Sequence, residues 1–396
     1  MRYNKSTPFP SELITTLSKG TAMRNFVVIL IMILLLGGFV FAVLWFGKEE
    51  SPSLPQVKEE PLKTETQEQP DVSVVASNLE VPWALAFLPD GRMLFTERRG
   101  RVYVMEQGDN SLPTLVAEIK DVKTIGEGGL LGLAVHPFFE KNGFVYLYYT
   151  YSGNGDNTFN RVSTFQYTNG NFTDEQVIVD AIPGNANHNG GRLKFGPDGY
   201  LYITTGDAQN PSLAQDIHSV AGKILRVTDE GEMAPGNPFS NQVYSYGHRN
   251  PQGLTWDSRG KLWETEHGPS AHDEVNLIEV GANYGWPVVS GDEERNGLKK
   301  PVLQSGSATW APSDAAIMGD SLFFAGLRGS ALFEVTPLSG QIGIKEFKKN
   351  EFGRIREAVI GPDGFLYVST SNRDGRGDPK DDDDKIIKIN PSIFVP

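Results

Sequence analysis

Residues 197–207 read PDGYLYITTGD. Pro-Asp-Gly is turn chemistry: proline presets φ, the aspartate side chain bonds the backbone just beyond it, and glycine takes a positive φ without steric cost. The YLYITT run that follows is aromatic and β-branched, which suits a short strand. A second short apolar run, RLKFG (192–196), stands in front of the turn, so the two read as a hairpin. The signal recurs as PDGRMLFTE (89–97), KNGFVYLYYT (141–150), SRGKLWETEHG (258–268), MGDSLFFAGLRG (318–329) and PDGFLYVSTSN (362–372). Runs such as WALAF, LLGLAV and GLTW precede these copies, and RVYVM, RVSTFQY, KILRVT, EVNLIEV, ALFEVT and KIIKIN follow them. Six units of three or more strands, roughly 45 to 60 residues apart and without long amphipathic helical periodicity, predict an all-β six-bladed β-propeller over residues 71–396. DVSVVAS (71–77) is placed to close the ring by pairing with the last blade.

The chain has 396 residues, 39% of them hydrophobic, enough for a sizeable core. Its net charge of −13 argues against nucleic acid as a partner, because phosphate binding needs clustered Lys and Arg. With no cysteine, disulfides, thiolate metal sites and a thiol nucleophile are excluded. Residues 26–46, FVVILIMILLLGGFVFAVLWF, form an uncharged run long enough to cross a bilayer as one helix. Arg2, Lys5, Lys19 and Arg24 precede it, so residues 1–25 are expected in the cytoplasm and everything after the helix outside. The rival reading, a cleaved signal peptide, has a shorter apolar region and a small-residue cleavage site. Residues 47–70, rich in Glu, Lys, Pro, Gln and Ser, read as a flexible linker.

Propeller geometry brings residues about ten before and about eight after each turn glycine to one rim. Counting back from Gly199, Gly260 and Gly364 reaches His188, then Arg249 and Asn250, then Arg354 and Arg356; counting forward from Gly199, Gly260 and Asp320 reaches Asp207, Gly268 and Arg328. Glu127 of GEGGLLGL takes the corresponding place in the second blade. His188 and Asp207 flank one hairpin and should face each other, the carboxylate fixing the imidazole tautomer as in general-base pairs. The bland alternative makes His188 a solvated turn residue and Asp207 a loop cap. The arginines suit a ligand with several carboxylates, or a developing oxyanion; alternatively they pair with acidic loops. RGD (376–378) and DDDDK (381–385) receive no role, the second reading as an exposed acidic loop.

The motifs GEGGLLGLAVHPFF, NHNGGRLKFGPDGYLYITTGD, GHRNPQGL, EHGPSAHDEVNLI with NYGWP, and GRIREAVIGPDGFLY together resemble the soluble quinoprotein glucose dehydrogenase and aldose sugar dehydrogenase family, the glucose/sorbosone dehydrogenases. The resemblance runs in order from about Val72 to the end. It implies a six-bladed propeller carrying pyrroloquinoline quinone (PQQ) and calcium, which oxidises the C1 hydroxyl of aldoses and passes electrons to a quinone or cytochrome. By resemblance, His188 is the base, Asp207 orients it, and Arg249 polarises the acceptor carbonyl with Asn250 beside it. Arg328, Arg354 and Arg356 match the positions that hold the cofactor carboxylates. Glu127 stands where some members have Gln, and a carboxylate beside an anionic cofactor is costly unless protonated or bridged by an arginine or the metal. The catalytic calcium would be held by the carbonyls of Gly268 and Pro269, and a structural calcium by Glu274 and a main-chain oxygen at Tyr284. Two other readings stay open: a calcium-dependent propeller hydrolase or lactonase, and a propeller binding module without catalysis.

Overall fold

The computed structural model describes residues 70–107, 111–336, 338 and 340–394. The anchor expected over 26–46 and nearly all of the linker over 47–70 lie outside the described residues. No helix among the described residues is long and apolar enough to cross a membrane.

Six four-stranded antiparallel sheets form the blades of a propeller. Their innermost strands are Pro82–Phe87, Leu130–Val135, Leu193–Phe195, Pro251–Trp256, Pro312–Met318 and Ile355–Ile360. Each packs against the next around the ring, the last against the first. Four of the second strands, Met93–Glu97, Leu201–Thr205, Leu262–Glu266 and Leu366–Thr370, are buried at every position because each blade is covered on both faces. This explains why they read as near-continuous apolar and small polar runs. The fourth strand of blade five, Gly343–Phe347, faces solvent along most of its length.

The turn glycines of the six repeats, Gly91, Gly143, Gly199, Gly260, Gly319 and Gly364, all have positive φ, as their hairpins require. In the Pro-Asp-Gly copies the Asp side chain accepts the N–H two residues on, at 3.0 Å from Arg92, 3.3 Å from Tyr200 and 3.2 Å from Phe365. These turns form one rim and leave the other for function.

The ring closes as expected. Strand Val72–Ala76 pairs antiparallel with Ile386–Ile389, so the last blade takes its outer strand from the start of the propeller. The DDDDK stretch departs from its reading as an exposed loop: Asp383 and Asp384 are buried. Asp384 accepts the N–H of Val81 at 3.1 Å, of Asn372 at 2.5 Å and of Arg373 at 3.3 Å, and the Thr370 hydroxyl at 3.1 Å.

The axis is filled by a polar plug. Arg192 reaches Glu357 at 2.7 Å and Asp314 at 3.2 Å, donates to the Gln252 carbonyl at 3.0 Å, and lies 4.4 Å from the Trp83 ring. Lys194 pairs with Asp314 at 2.9 Å. Buried charges persist when they are paired in this way, and this plug ties five blades together.

Candidate active site

The loops that precede innermost strands and follow second strands open on one rim. There they enclose a cavity of about 340 Å³, to which all six blades contribute. Its wall holds Glu127, His188, Arg249, Gly268, Pro269, Arg328, Arg354 and Arg356, so most of the residues reached by the hairpin offset converge.

His188 has φ of 60°, a left-handed conformation that costs a non-glycine residue about 1–2 kcal/mol. Three contacts hold it there. Its N–H donates to Glu127 Oε2 at 3.0 Å, its carbonyl accepts the Ala208 N–H at 3.1 Å, and its Nδ1 lies 2.7 Å from Asp207 Oδ1. Asp207 is fully buried; it also accepts the Trp286 indole N–H at 2.8 Å and the Gln209 N–H at 2.8 Å. A carboxylate on Nδ1 places the proton there and leaves Nε2 as the open base toward the cavity.

Arg249 lies beside the pair, with its guanidinium 5.3 Å from the Trp286 ring and its N–H bonded to Glu266 at 2.7 Å. Burial lowers the pKa of Arg249 and brings that of Arg356 down to about 9. Asn250 is fully buried beneath the wall instead of lining it, and accepts the Gly190 N–H at 3.0 Å. Its observed part is therefore to hold the segment that carries His188. Arg354 and Arg356 are tied to Asp374, at 2.9 Å and 3.6 Å, while Arg328 stands exposed at the wall.

Glu127 is the carboxylate that seemed out of place. It pairs with Arg376 at 2.5 Å and takes the His188 N–H. Burial alone would raise its pKa, but His267, Arg376 and that N–H outweigh it and hold Glu127 below the usual carboxylate range. An arginine bridge thus resolves the cost that its position implied.

Gly268, Pro269, Glu266, Glu274 and Tyr284 line a second, smaller cavity next to the first, and Arg249, His267, Gly268 and Pro269 belong to both walls. Asn276 Nδ2 donates to Glu264, Glu266 and Glu274 at 3.0, 3.3 and 3.2 Å, gathering three buried carboxylates; His248 adjoins Glu266 at 3.2 Å. Burial, then repulsion from Glu266, raises Glu264 well above the carboxylate range and lifts Glu274 to about 8. Glu264 Oε1 and Asn276 Oδ1 are buried without partners. The gathered carboxylates with surplus acceptor oxygens fit a hard divalent cation such as calcium, and the His248 ring offers a nitrogen donor beside Glu264 and Glu266. The Tyr284 hydroxyl is engaged by Leu277 at 2.6 Å, which leaves its main-chain oxygen as the group it can offer.

Two other cavity residues, Arg98 and Asp374, were not singled out from the sequence, and Arg376 entered only within an RGD given no role. The offset applied to Gly91 would have reached Arg98, and applied further from Gly364 it would have reached Asp374. Nothing in the sequence announced His248 or Glu264, whose partners come from the fold.

The family described as Glucose / Sorbosone dehydrogenase matches residues 79–380. The chain is 30% identical to the aldose sugar dehydrogenase YliI of Escherichia coli, over 81% of this chain and 93% of that one. It superposes on the PQQ-bound aldose sugar dehydrogenase of Streptomyces coelicolor with TM-score 0.75 and 38% identity, covering 81% of this chain and 97% of the other. An oxidoreductase of Thermus thermophilus described as a glucose dehydrogenase gives TM-score 0.75 and 44% identity, over 81% and 99% of the two chains. The chain belongs to the glucose/sorbosone dehydrogenase family.

Proposed function

We propose that the chain is a PQQ-dependent quinoprotein that oxidises the C1 hydroxyl of an aldose to the lactone. The observation that carries this reading is the charge of the cavity: its wall holds six arginines against three carboxylates, on a chain whose net charge is −13. Arg98 Nε, Arg249 Nε and His267 Nε2 are buried there without partners. Such groups are costly to bury alone, and a polycarboxylate bearing ring carbonyls is a ligand class that satisfies them. Arg328, Arg354 and Arg356 would hold the carboxylates of PQQ, Arg249 its acceptor carbonyl, and the Gly268 and Pro269 carbonyls a calcium ion. When bound, PQQ supplies a two-electron acceptor for the C1 hydride and calcium supplies a Lewis acid.

His188 Nε2 takes the proton of the C1 hydroxyl, while Asp207 keeps the ring oriented and stabilises the imidazolium that forms. The Trp286 indole holds Asp207 in place from blade four. Glu274 and the Tyr284 main-chain oxygen would hold a second, structural calcium. Residues 26–46 anchor the propeller, through the linker over 47–70, on the outer side of the cytoplasmic membrane, where electrons leave to a quinone or cytochrome.

The test adds PQQ and calcium to the purified full-length protein and follows dye reduction by a panel of aldoses. Turnover dependent on both additions is expected. Cofactor binding without turnover would leave a binding module, and hydrolysis of lactones without dye reduction would favour the hydrolase; either result overturns the dehydrogenase reading, as does failure to bind PQQ.

A further inference from the structure

The Arg376 side chain leaves the last blade and crosses the cavity mouth. One arm of its guanidinium reaches Glu127 of blade two at 2.5 Å, and the other reaches Asn187 of blade three at 2.6 Å. Glu127 in turn accepts the His188 N–H at 3.0 Å, and its own N–H donates to the Ala186 carbonyl at 2.7 Å. The loop that carries Arg376 is pinned at its root, where the Arg376 N–H donates to Asp374 at 2.9 Å. Asp374 is also the partner of Arg354 at 2.9 Å. A continuous set of charged contacts therefore leads from the arginine wall to the backbone of the left-handed histidine.

We infer that Arg376 is a positioning residue: acting through Glu127 and Asn187, it locks the loop that carries His188 and thereby sets where the base points. Energy alone would not require an arginine here. Arg376 is half exposed at 51%, and exposed ion pairs contribute little to stability. Geometry does require it, because only a planar fork with two separate donor arms reaches acceptors on two blades at once. Glu127 is the matching piece. One carboxylate oxygen takes the guanidinium and the other takes the His188 N–H, so loss of the arginine frees the group that fixes His188. Asp207 restrains the ring, but φ of 60° is set by the backbone, and the backbone is what Glu127 holds.

The inference rests on the reading of His188 as the base, so the test has an arm that does not depend on it. Hydrogen–deuterium exchange by mass spectrometry on the full-length apo-protein reads the peptide covering residues 186–190. Arg376→Gln should speed exchange there about two- to fivefold, the size expected on losing a half-exposed ion pair, with the blade strands unchanged. Arg376→Lys, which keeps the charge but loses one arm, should recover part of the protection. In the PQQ-loaded protein Arg376→Gln should lower kcat about 10²-fold while the sugar KM and the PQQ titration stay near wild type. Unchanged exchange overturns the inference. So does a rise in KM at constant kcat, which would make Arg376 a sugar contact, or lost PQQ binding with unchanged exchange, which would make it a cofactor contact. If the wild-type protein turns over no aldose, the proposed function fails, and the exchange arm still decides whether Arg376 holds the His188 loop.

Discussion

His188 illustrates how much one position can disclose before a fold is known. The offset from a turn glycine brought it opposite Asp207, and the two meet at 2.7 Å. That pairing was legible because both residues flank one hairpin, where strand geometry fixes the register. Its backbone was not legible: φ of 60° arises from contacts with Glu127 and Ala208, which belong to loops of irregular length. Trp286 shows the same limit, since the indole that holds Asp207 comes from 79 residues away. His188→Ala should lower kcat by about 10²–10⁴-fold, the usual contribution of a positioned base. The PQQ titration should be unaffected, because the arginine wall stays intact. Steady-state dye reduction alongside a spectroscopic PQQ titration checks both, and unchanged kcat would remove His188 from the mechanism.

Among the elements, strands with hairpin turns were readable and loops were not. Turn chemistry and aromatic runs specify a strand locally, whereas DDDDK gives no local sign of which aspartate turns inward. Four aspartates in a row suggest a solvated loop, but Asp384 is drawn inside by donors that converge on it from two blades. It joins the end of the second strand of blade six, through Thr370 and Asn372, to the entry of blade one, through Val81. This contact reinforces the closure made by strand Val72–Ala76. Asp384→Ala leaves buried donors without an acceptor, each costing about 1–3 kcal/mol, so a net loss of about 3–5 kcal/mol is expected. Asp381→Ala, three residues earlier and exposed, should cost no more than about 0.5 kcal/mol. Chemical denaturation of the two variants measures the contrast, and equal losses would mean that closure does not run through Asp384.

For the whole molecule, the repeat gave the number of blades, but nothing in it showed where charge would gather. A chain with net charge −13 concentrates arginines on one rim and three buried glutamates beside them in blade four. Glu264, Glu266 and Glu274 meet because the second and third strands of that blade pair directly, in a register that sets Glu264 against Asn276 and Glu266 against Glu274. Three carboxylates in one dry place repel one another, and two remedies exist: protons or a cation. Protons are the remedy if Glu264 and Glu274 stay at their raised pKa values; a cation is the remedy if calcium binds, since it lets the carboxylates ionise. The two remedies predict different behaviour on chelation. With calcium at about a hundred times its Kd, binding adds about 2.7 kcal/mol, so removing it should lower Tm by about 5 °C in a protein of this size. Glu264→Gln separates the remedies further. If calcium is the remedy, the substitution removes a nearby charge and shrinks the chelator-sensitive part of Tm. If protons are, it replaces an already neutral group and leaves Tm nearly unchanged, with or without chelator. Thermal unfolding of wild type and Glu264→Gln, each with calcium and with excess chelator, distinguishes them, and a wild-type Tm insensitive to chelation would refute the calcium assignment.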